Sequence, residues 1–142
     1  MKIPIKKTET TIIDRVVWNW VFIHYCGQII GQWQKKYVYN GLANVLASQV
    51  SISTSAIPVF IFLLLGGKSH FWGAILVMGY ILSLQVLLKK PLMQLVDLKE
   101  LERAYQQISR QQRIRKFILA VVMFVFSFFI SIASYKVVGA IL

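Results

Sequence analysis

The residues of this sequence whose types could support chemistry are few. Gly66-Gly67-Lys68-Ser69 matches the end of a phosphate-binding loop, but that motif requires another glycine where Phe62 stands. His24 and Cys26 are two residues apart, so on a helix they point to different sides and cannot act together as base and nucleophile. The second histidine, His70, stands alone, and one cysteine with two histidines is too few for a four-ligand zinc site. We therefore expect no enzymatic activity, no cofactor and no metal.

The elements that hold these residues are predicted from composition. Of the 142 residues 57% are hydrophobic and only 15% are charged, which is too little charge to cover a soluble domain of this size. Sixteen Lys and Arg stand against five Asp and Glu, giving a formal net charge of +11. The composition predicts one all-α membrane domain over residues 1–142. The charged residues that precede the first apolar stretch argue against a cleaved leader.

Three segments are long and apolar enough to cross a bilayer, which needs roughly 20 helical residues. They are residues 42–65, 71–88 and 117–141. Residues 12–33 are apolar enough to be a fourth span, and the distribution of basic residues weighs against this. With three spans and a cytoplasmic N-terminus, fourteen basic residues lie inside and two, Lys68 and Lys136, lie outside. A fourth span leaves at best ten against six, so 12–33 is predicted to be an interfacial helix, and the C-terminus is predicted to be outside.

Residues 92–116 are predicted to form a cytoplasmic amphipathic helix that begins after Pro91. Its apolar face and its basic end are candidate surfaces for a cytoplasmic protein partner or for anionic lipid of the inner leaflet. Because the positive charge adjoins a span and few aromatics accompany it, nucleic acid is not expected as a partner. The residues of these surfaces are Leu98, Leu101, Tyr105, Ile108, Arg110, Arg113, Arg115 and Lys116.

The first span is unusually polar in its inner half, and the third span has a matching row of serines. Small residues four apart allow helices to approach closely, and polar side chains hydrogen-bond across helices. Two alternatives stay open: packing of the first span against the third, or an oligomer interface or wet path. Pro58 adds some weight to the second, because it frees a carbonyl near Thr54. The candidate residues are Asn44, Ala47, Ser48, Gln49, Ser51, Ser55, Ser127, Ser131 and Ser134.

Residues 48–110 resemble the last transmembrane hairpin of type I ABC exporters. The resemblance lies in a span that ends near Gly66, the pair Gly73-Ala74 after a short turn, and Pro91-Leu92-Met93-Gln94-Leu95 before a helical extension. The exporters continue into a nucleotide-binding domain, whereas this chain continues into a third span, so no ATP chemistry is implied. The same hairpin resembles two-span bacterial defence effectors, which oligomerise and breach the membrane.

These resemblances imply a bacterial inner-membrane protein and two functions. The first is a non-enzymatic subunit of a transport or secretion-related complex, assembled with itself or with a partner. The alternative is an oligomeric pore-forming effector of a defence or toxin system. Because the outer half of the first span is entirely apolar, one subunit offers no continuous polar path, which favours the first function.

Overall fold

The computed structural model describes residues 11–31, 35–94 and 96–141, and the regular secondary structure of this part of the chain is all helix, with no strand. Its helices are α1 (Ile12–Gly31), α2 (Lys35–Ser53), α3 (Ala56–Leu64), α4 (His70–Gln94), α5 (Leu98–Gln107) and α6 (Arg110–Ile141). Three helices are long and apolar enough to span a membrane, as predicted: Tyr37–Leu64, His70–Gln94 and Arg110–Ile141. Trp33, Leu95, Leu142 and the first ten residues, with the lysines counted there, lie outside the described residues.

The first candidate span is broken near its middle, between α2 and α3. Pro58 has no N–H to donate to Thr54, and its ring crowds that carbonyl. The backbone tightens there instead: Ser55 N–H donates to Ile52 O and Ile57 N–H donates to Thr54 O, at 3.2 and 3.1 Å. The span predicted at 42–65 is therefore two shorter helices, and the first of them begins earlier, at Lys35.

The prediction that Pro91 separates the second span from a helix over 92–116 is wrong. α4 continues through Pro91 to Gln94, because the loss of one hydrogen bond does not end a helix that is already formed. The remaining residues divide into two helices, each with its own N-terminal cap. Asp97 accepts from the backbone N–H of Lys99 and Glu100 at the start of α5.

The start of α6 is fixed by a capping box. Ser109 Oγ accepts from the N–H of Gln112 at 3.3 Å, and Gln112 Oε1 accepts from the N–H of Ser109 at 3.1 Å. Because these bonds satisfy N–H groups that have no partner within the helix, α6 begins at Arg110 and includes residues assigned from sequence to the preceding segment. α6 continues without a break to Ile141.

The hydrophobic core lies at one end of the bundle, between α1, α2 and α5. α1 packs against α2 and α6, and α5 closes over α1. α4 packs mainly on α2 and α3, and no residue of it is buried. The core residues are Val21, Phe22, Tyr25, Cys26, Val38, Leu42, Leu46 and Leu101.

Candidate functional site: the polar seam of the broken span

A continuous set of polar side chains on α2 and at the break between α2 and α3 joins this span to its neighbours. We call this set the polar seam; its members are Ser48, Gln49, Ser51, Thr54 and Ser55. A polar group in an apolar bundle is costly unless it is hydrogen-bonded, so the partners of these side chains define what the seam does.

Gln49 lies where α1, α2 and α6 meet, and it connects all three. Its Oε1 accepts from Trp20 Nε1 of α1 at 2.8 Å, and its Nε2 donates to the backbone oxygen of Met123 in α6 at 3.1 Å. Its amide also lies beside His24, one helical turn after Trp20. Gln49 therefore fixes the position of α1 against both candidate spans, in agreement with the prediction that it bonds across helices.

His24 is the other buried polar group at this junction, with only 2% of its surface exposed. Burial lowers the pKa of its imidazole below the ordinary 6.5, and the neighbouring Gln49 amide opposes this only in part. The ring is therefore neutral at pH 7. Its Nε2 is buried and has no hydrogen-bond partner in the described part of the chain.

Two further members of the seam, Ser48 and Thr54, attach α4 to the bundle. Gln85 Nε2 donates to Ser48 Oγ at 3.0 Å, and Tyr80 O–H donates to Thr54 Oγ1 at 3.0 Å. These bonds lie on the face of α4 that meets α2, so they add to an extensive packing contact between the two helices.

The break itself is satisfied by hydroxyl groups. Ser55 Oγ and Ser131 Oγ are 2.7 Å apart, and Tyr135 O–H donates to the backbone oxygen of Ser55 at 3.0 Å. Thr54 Oγ1 donates to the backbone oxygen of Val50 at 2.8 Å. Interrupted helices within a membrane are tolerated where neighbouring side chains bond the freed backbone groups, and this break meets that condition.

The small stripe predicted on the first span is occupied by contacts within the chain. Ala47, Ser51 and Ser55 are at most 2% exposed, and Ser51 Oγ donates to Ala47 O of its own helix. On α6, Ser127 and Ser131 are buried as well. The structure thus brings the two serine rows together at Ser55 and Ser131.

The remaining members of the predicted set lie apart from that contact. Asn44 is exposed, and Ser134 Oγ donates back to Ile130 O of its own helix. Ser48 faces α4 rather than α6.

The apolar face predicted for a cytoplasmic partner also packs within the chain. Leu101 is 2% exposed, and Leu98, Tyr105 and Ile108 pack against the core. Tyr105 contacts the ring of Tyr25, edge to face, at 6.1 Å between centroids. α5 therefore covers α1 with this face, and its charged face remains exposed.

The basic residues near the start of α6 fall into two groups. Arg113 stacks over the Tyr105 ring at 4.3 Å, and Lys116 Nζ lies 5.0 Å from the centre of the Phe22 ring. Arg110 and Arg115 are exposed. The first pair closes the core from the α6 side, and the second pair is free to meet an anionic surface.

Neither motif that suggested catalysis is built for it. Gly66 has a φ of +81°, and a Cβ on Gly67 would collide with the Phe62 ring, so these glycines serve a tight turn. Burial raises the pKa of Cys26 to about 11, so its thiol is a poor nucleophile at pH 7. Within residues 11–31, 35–94 and 96–141 there is no group of three His, Cys, Asp or Glu placed to hold a metal ion.

Sequence reasoning missed the partners of the seam. These partners include Tyr80, Gln85 and Tyr135. Their sequence signal is a polar side chain within an apolar span, which indicates a hydrogen bond to another helix. Sequence reasoning also missed Gly79 and Ser83, which lie on the exposed side of α4.

Comparison of the chain with known protein families, curated proteins and solved structures finds no match.

Proposed function

We propose that this chain is a non-enzymatic integral membrane subunit that assembles, with itself or a partner, into a transport or secretion-related complex of a bacterial inner membrane. The observation that carries the proposal is the contrast between α2 and α4. The members of the polar seam are bonded within the chain, whereas α4 is largely apolar, has no buried residue and leaves its side away from α2 exposed. The transport setting rests on the resemblance of residues 48–110 to exporter hairpins.

The assembly surface lies on the side of α4 away from α2. Gly79 and Ser83 are one helical turn apart there, both are exposed, and a Cβ built on Gly79 meets nothing within 4 Å. Residues of this size let a second helix approach closely, and in lipid that close packing replaces the hydrophobic force available in water. We therefore assign the oligomer or partner contact to α4 rather than to the stripe on the first span.

The orientation follows from charge. With α5 and the start of α6 in the cytoplasm, exposed Arg110 and Arg115 meet the anionic leaflet. α1 then lies at the same level, and its aromatic side chains suit the head-group region.

The alternative, a pore-forming effector, requires a continuous wet face. The seam gives it little support, because Gln49, Thr54 and Ser55 are already bonded to other helices. To form a pore lining, these groups would first have to exchange their present partners for water.

The proposal is tested by counting subunits in native-lipid nanodiscs and by crosslinking in membranes. Gly79→Leu and Ser83→Leu add bulk to the proposed contact and should lower the assembled fraction several-fold. Met78→Leu is the matched control, since Met78 is 60% exposed and lies about a third of a turn round the helix. Equal assembly in all three variants, or a monomer in the unmodified protein with no crosslinked partner, would contradict the proposal.

A further inference from the structure

A cavity of about 270 Å³ lies where α1, α2, α5 and the start of α6 meet. Three tyrosines from three helices line it: Tyr25 of α1, Tyr39 of α2 and Tyr105 of α5. Two residues of opposite charge, Glu102 of α5 and Arg113 of α6, line it as well. A wall that presents an anion and a cation together is complementary to a ligand that carries charges of both signs.

The two charged side chains are placed around the Tyr105 ring. Glu102 is one helical turn before Tyr105 on α5, so the two side chains lie on one face of that helix. Arg113 stacks over the Tyr105 ring, with its guanidinium carbon 4.3 Å from the ring centre. Its Nε is enclosed by protein, so its terminal amino groups are the atoms that a ligand can meet. Glu102 also acts on the wall formed by α1, because burial first, and then the charge of Glu102, raise the pKa of the Tyr25 phenol.

The cavity lies at the depth of lipid head groups. α6 becomes continuously apolar at Phe117, and Arg113 precedes Phe117 by four residues, or about 6 Å along the helix axis. The polar layer on each side of a bilayer is about 5–8 Å thick, since a hydrocarbon core of about 30 Å lies within a total of about 40–45 Å. Tyr39 is 39% exposed and comes two residues after the start of the first candidate span, at the same boundary. A ligand therefore reaches this cavity from the surface layer of the bilayer.

We propose that this cavity binds the phosphoethanolamine head group of a membrane phospholipid, with the phosphate on Arg113 and the ammonium between Glu102 and the tyrosines. A guanidinium can meet a phosphate with two parallel hydrogen bonds. A primary ammonium has three N–H donors for the carboxylate and the phenol oxygens, and the faces of aromatic rings attract its charge. This inference requires a membrane location and does not depend on the proposed assembly through α4.

The composition of the wall selects ethanolamine among common head groups. A head group that carries only negative charge would be repelled by the carboxylate of Glu102. A choline has no N–H to donate to that carboxylate. The volume suits a head group whose acyl chains stay outside, because pockets that enclose a whole drug-sized ligand are about 300–1,000 Å³.

The unmodified protein gives the first test. It is reconstituted into nanodiscs of equal parts phosphatidylethanolamine, phosphatidylglycerol and phosphatidylcholine with identical acyl chains, and the lipids that stay bound after transfer to detergent are counted by native mass spectrometry. We expect retained phosphatidylethanolamine to exceed each of the other two lipids at least about fivefold, which is about 1 kcal/mol. Equal retention of the three lipids, or a preference for either of the others, would overturn the proposal.

A competition experiment separates the lipid from a soluble source of the same group. An excess of soluble phosphoethanolamine is added to the mixed nanodiscs before transfer to detergent. We expect the retained phosphatidylethanolamine to be unchanged, because its acyl chains hold the head group beside the cavity at a high effective concentration. Displacement of the lipid would assign the cavity to a soluble ligand and refute the lipid assignment.

Paired variants locate the site. Arg113→Gln and Glu102→Gln each remove a charge that lines the cavity, and each should abolish the enrichment. Arg110→Gln and Glu100→Gln are the matched controls, because both residues are exposed and neither lines this cavity. Circular dichroism checks that all four variants keep their helix content. If the controls lower the enrichment as much as the cavity variants do, or if the cavity variants keep it, the head group is not held in this cavity.

Discussion

Gln49 should be the most costly single polar residue to replace in this molecule. Gln49→Met keeps the length and approximate volume of the side chain and removes its amide. Two interhelical bonds are then lost, one to Trp20 Nε1 at 2.8 Å and one to Met123 O at 3.1 Å. At about 0.6–1 kcal/mol for each bond, with about 1 kcal/mol more for an indole N–H left without an acceptor, we expect a loss of about 2–3 kcal/mol.

Gln85→Met is the matched comparison, since it is the same substitution in another candidate span. It removes one bond, to Ser48 Oγ at 3.0 Å, and a serine hydroxyl on a helix can turn to its own backbone. Its expected cost is therefore about 0.6–1 kcal/mol.

The assay is reversible unfolding in mixed micelles, with the denaturing detergent titrated and helix content followed by circular dichroism. Both variants are compared with the unmodified protein for the free energy of unfolding. If Gln49→Met costs no more than Gln85→Met, then Gln49 does not join three helices and the proposed geometry of the junction is wrong.

Three further predictions follow from the same structure. Because the folded-state pKa of His24 lies below the ordinary 6.5, the protein should be most stable above that pH and should lose stability as the pH falls below it, by up to about 1.4 kcal/mol per pH unit. Thermal unfolding between pH 5 and 8 measures this, and a stability that does not fall below pH 6.5 would contradict it. With Cys26 kept in place, Ser69→Cys should react with an impermeant maleimide from outside, and Ser109→Cys should react only after the cytoplasmic face is opened. Cys26 itself is fully buried and has a raised pKa, so it should stay unlabelled until the protein is denatured. The reverse pattern at the two serine positions would refute the orientation. Overexpression of the chain alone should leave the membrane potential unchanged, and a collapse without any trigger would favour the pore-forming function.

Composition and apolar periodicity are sufficient to predict an all-helical chain with three candidate spans. Three apolar stretches of sufficient length gave three candidate spans, because a continuous apolar run has few other uses. The errors are local. The helix continues through Pro91, and the two helices that follow are set by caps at Asp97 and Ser109, whose residue types are visible in the sequence.

The partners within the site were less predictable. The apolar face of α5 indicates that this helix packs on something, and periodicity is the same whether the surface is lipid, a partner or α1 of the same chain. For the same reason the stripe ending at Ser55 left intramolecular packing and oligomerisation open. The contact between Ser55 and Ser131 in the structure is what favours intramolecular packing. Gln49 is a similar case, because a glutamine in an apolar span predicts a hydrogen bond but does not predict that Trp20 is its partner.

The position of the core has a consequence for the order of biosynthesis. Val21, Phe22 and Leu46 are made well before Leu101, which covers them, and α6, against which α1 also packs, is made later still. During translation α1 therefore presents an uncovered apolar face for as long as it takes to insert two spans. A nascent chain stalled before residue 101 should keep that face on the bilayer surface or on an insertion factor. We expect α1 to become protease-resistant only in longer chains that include α5 and α6.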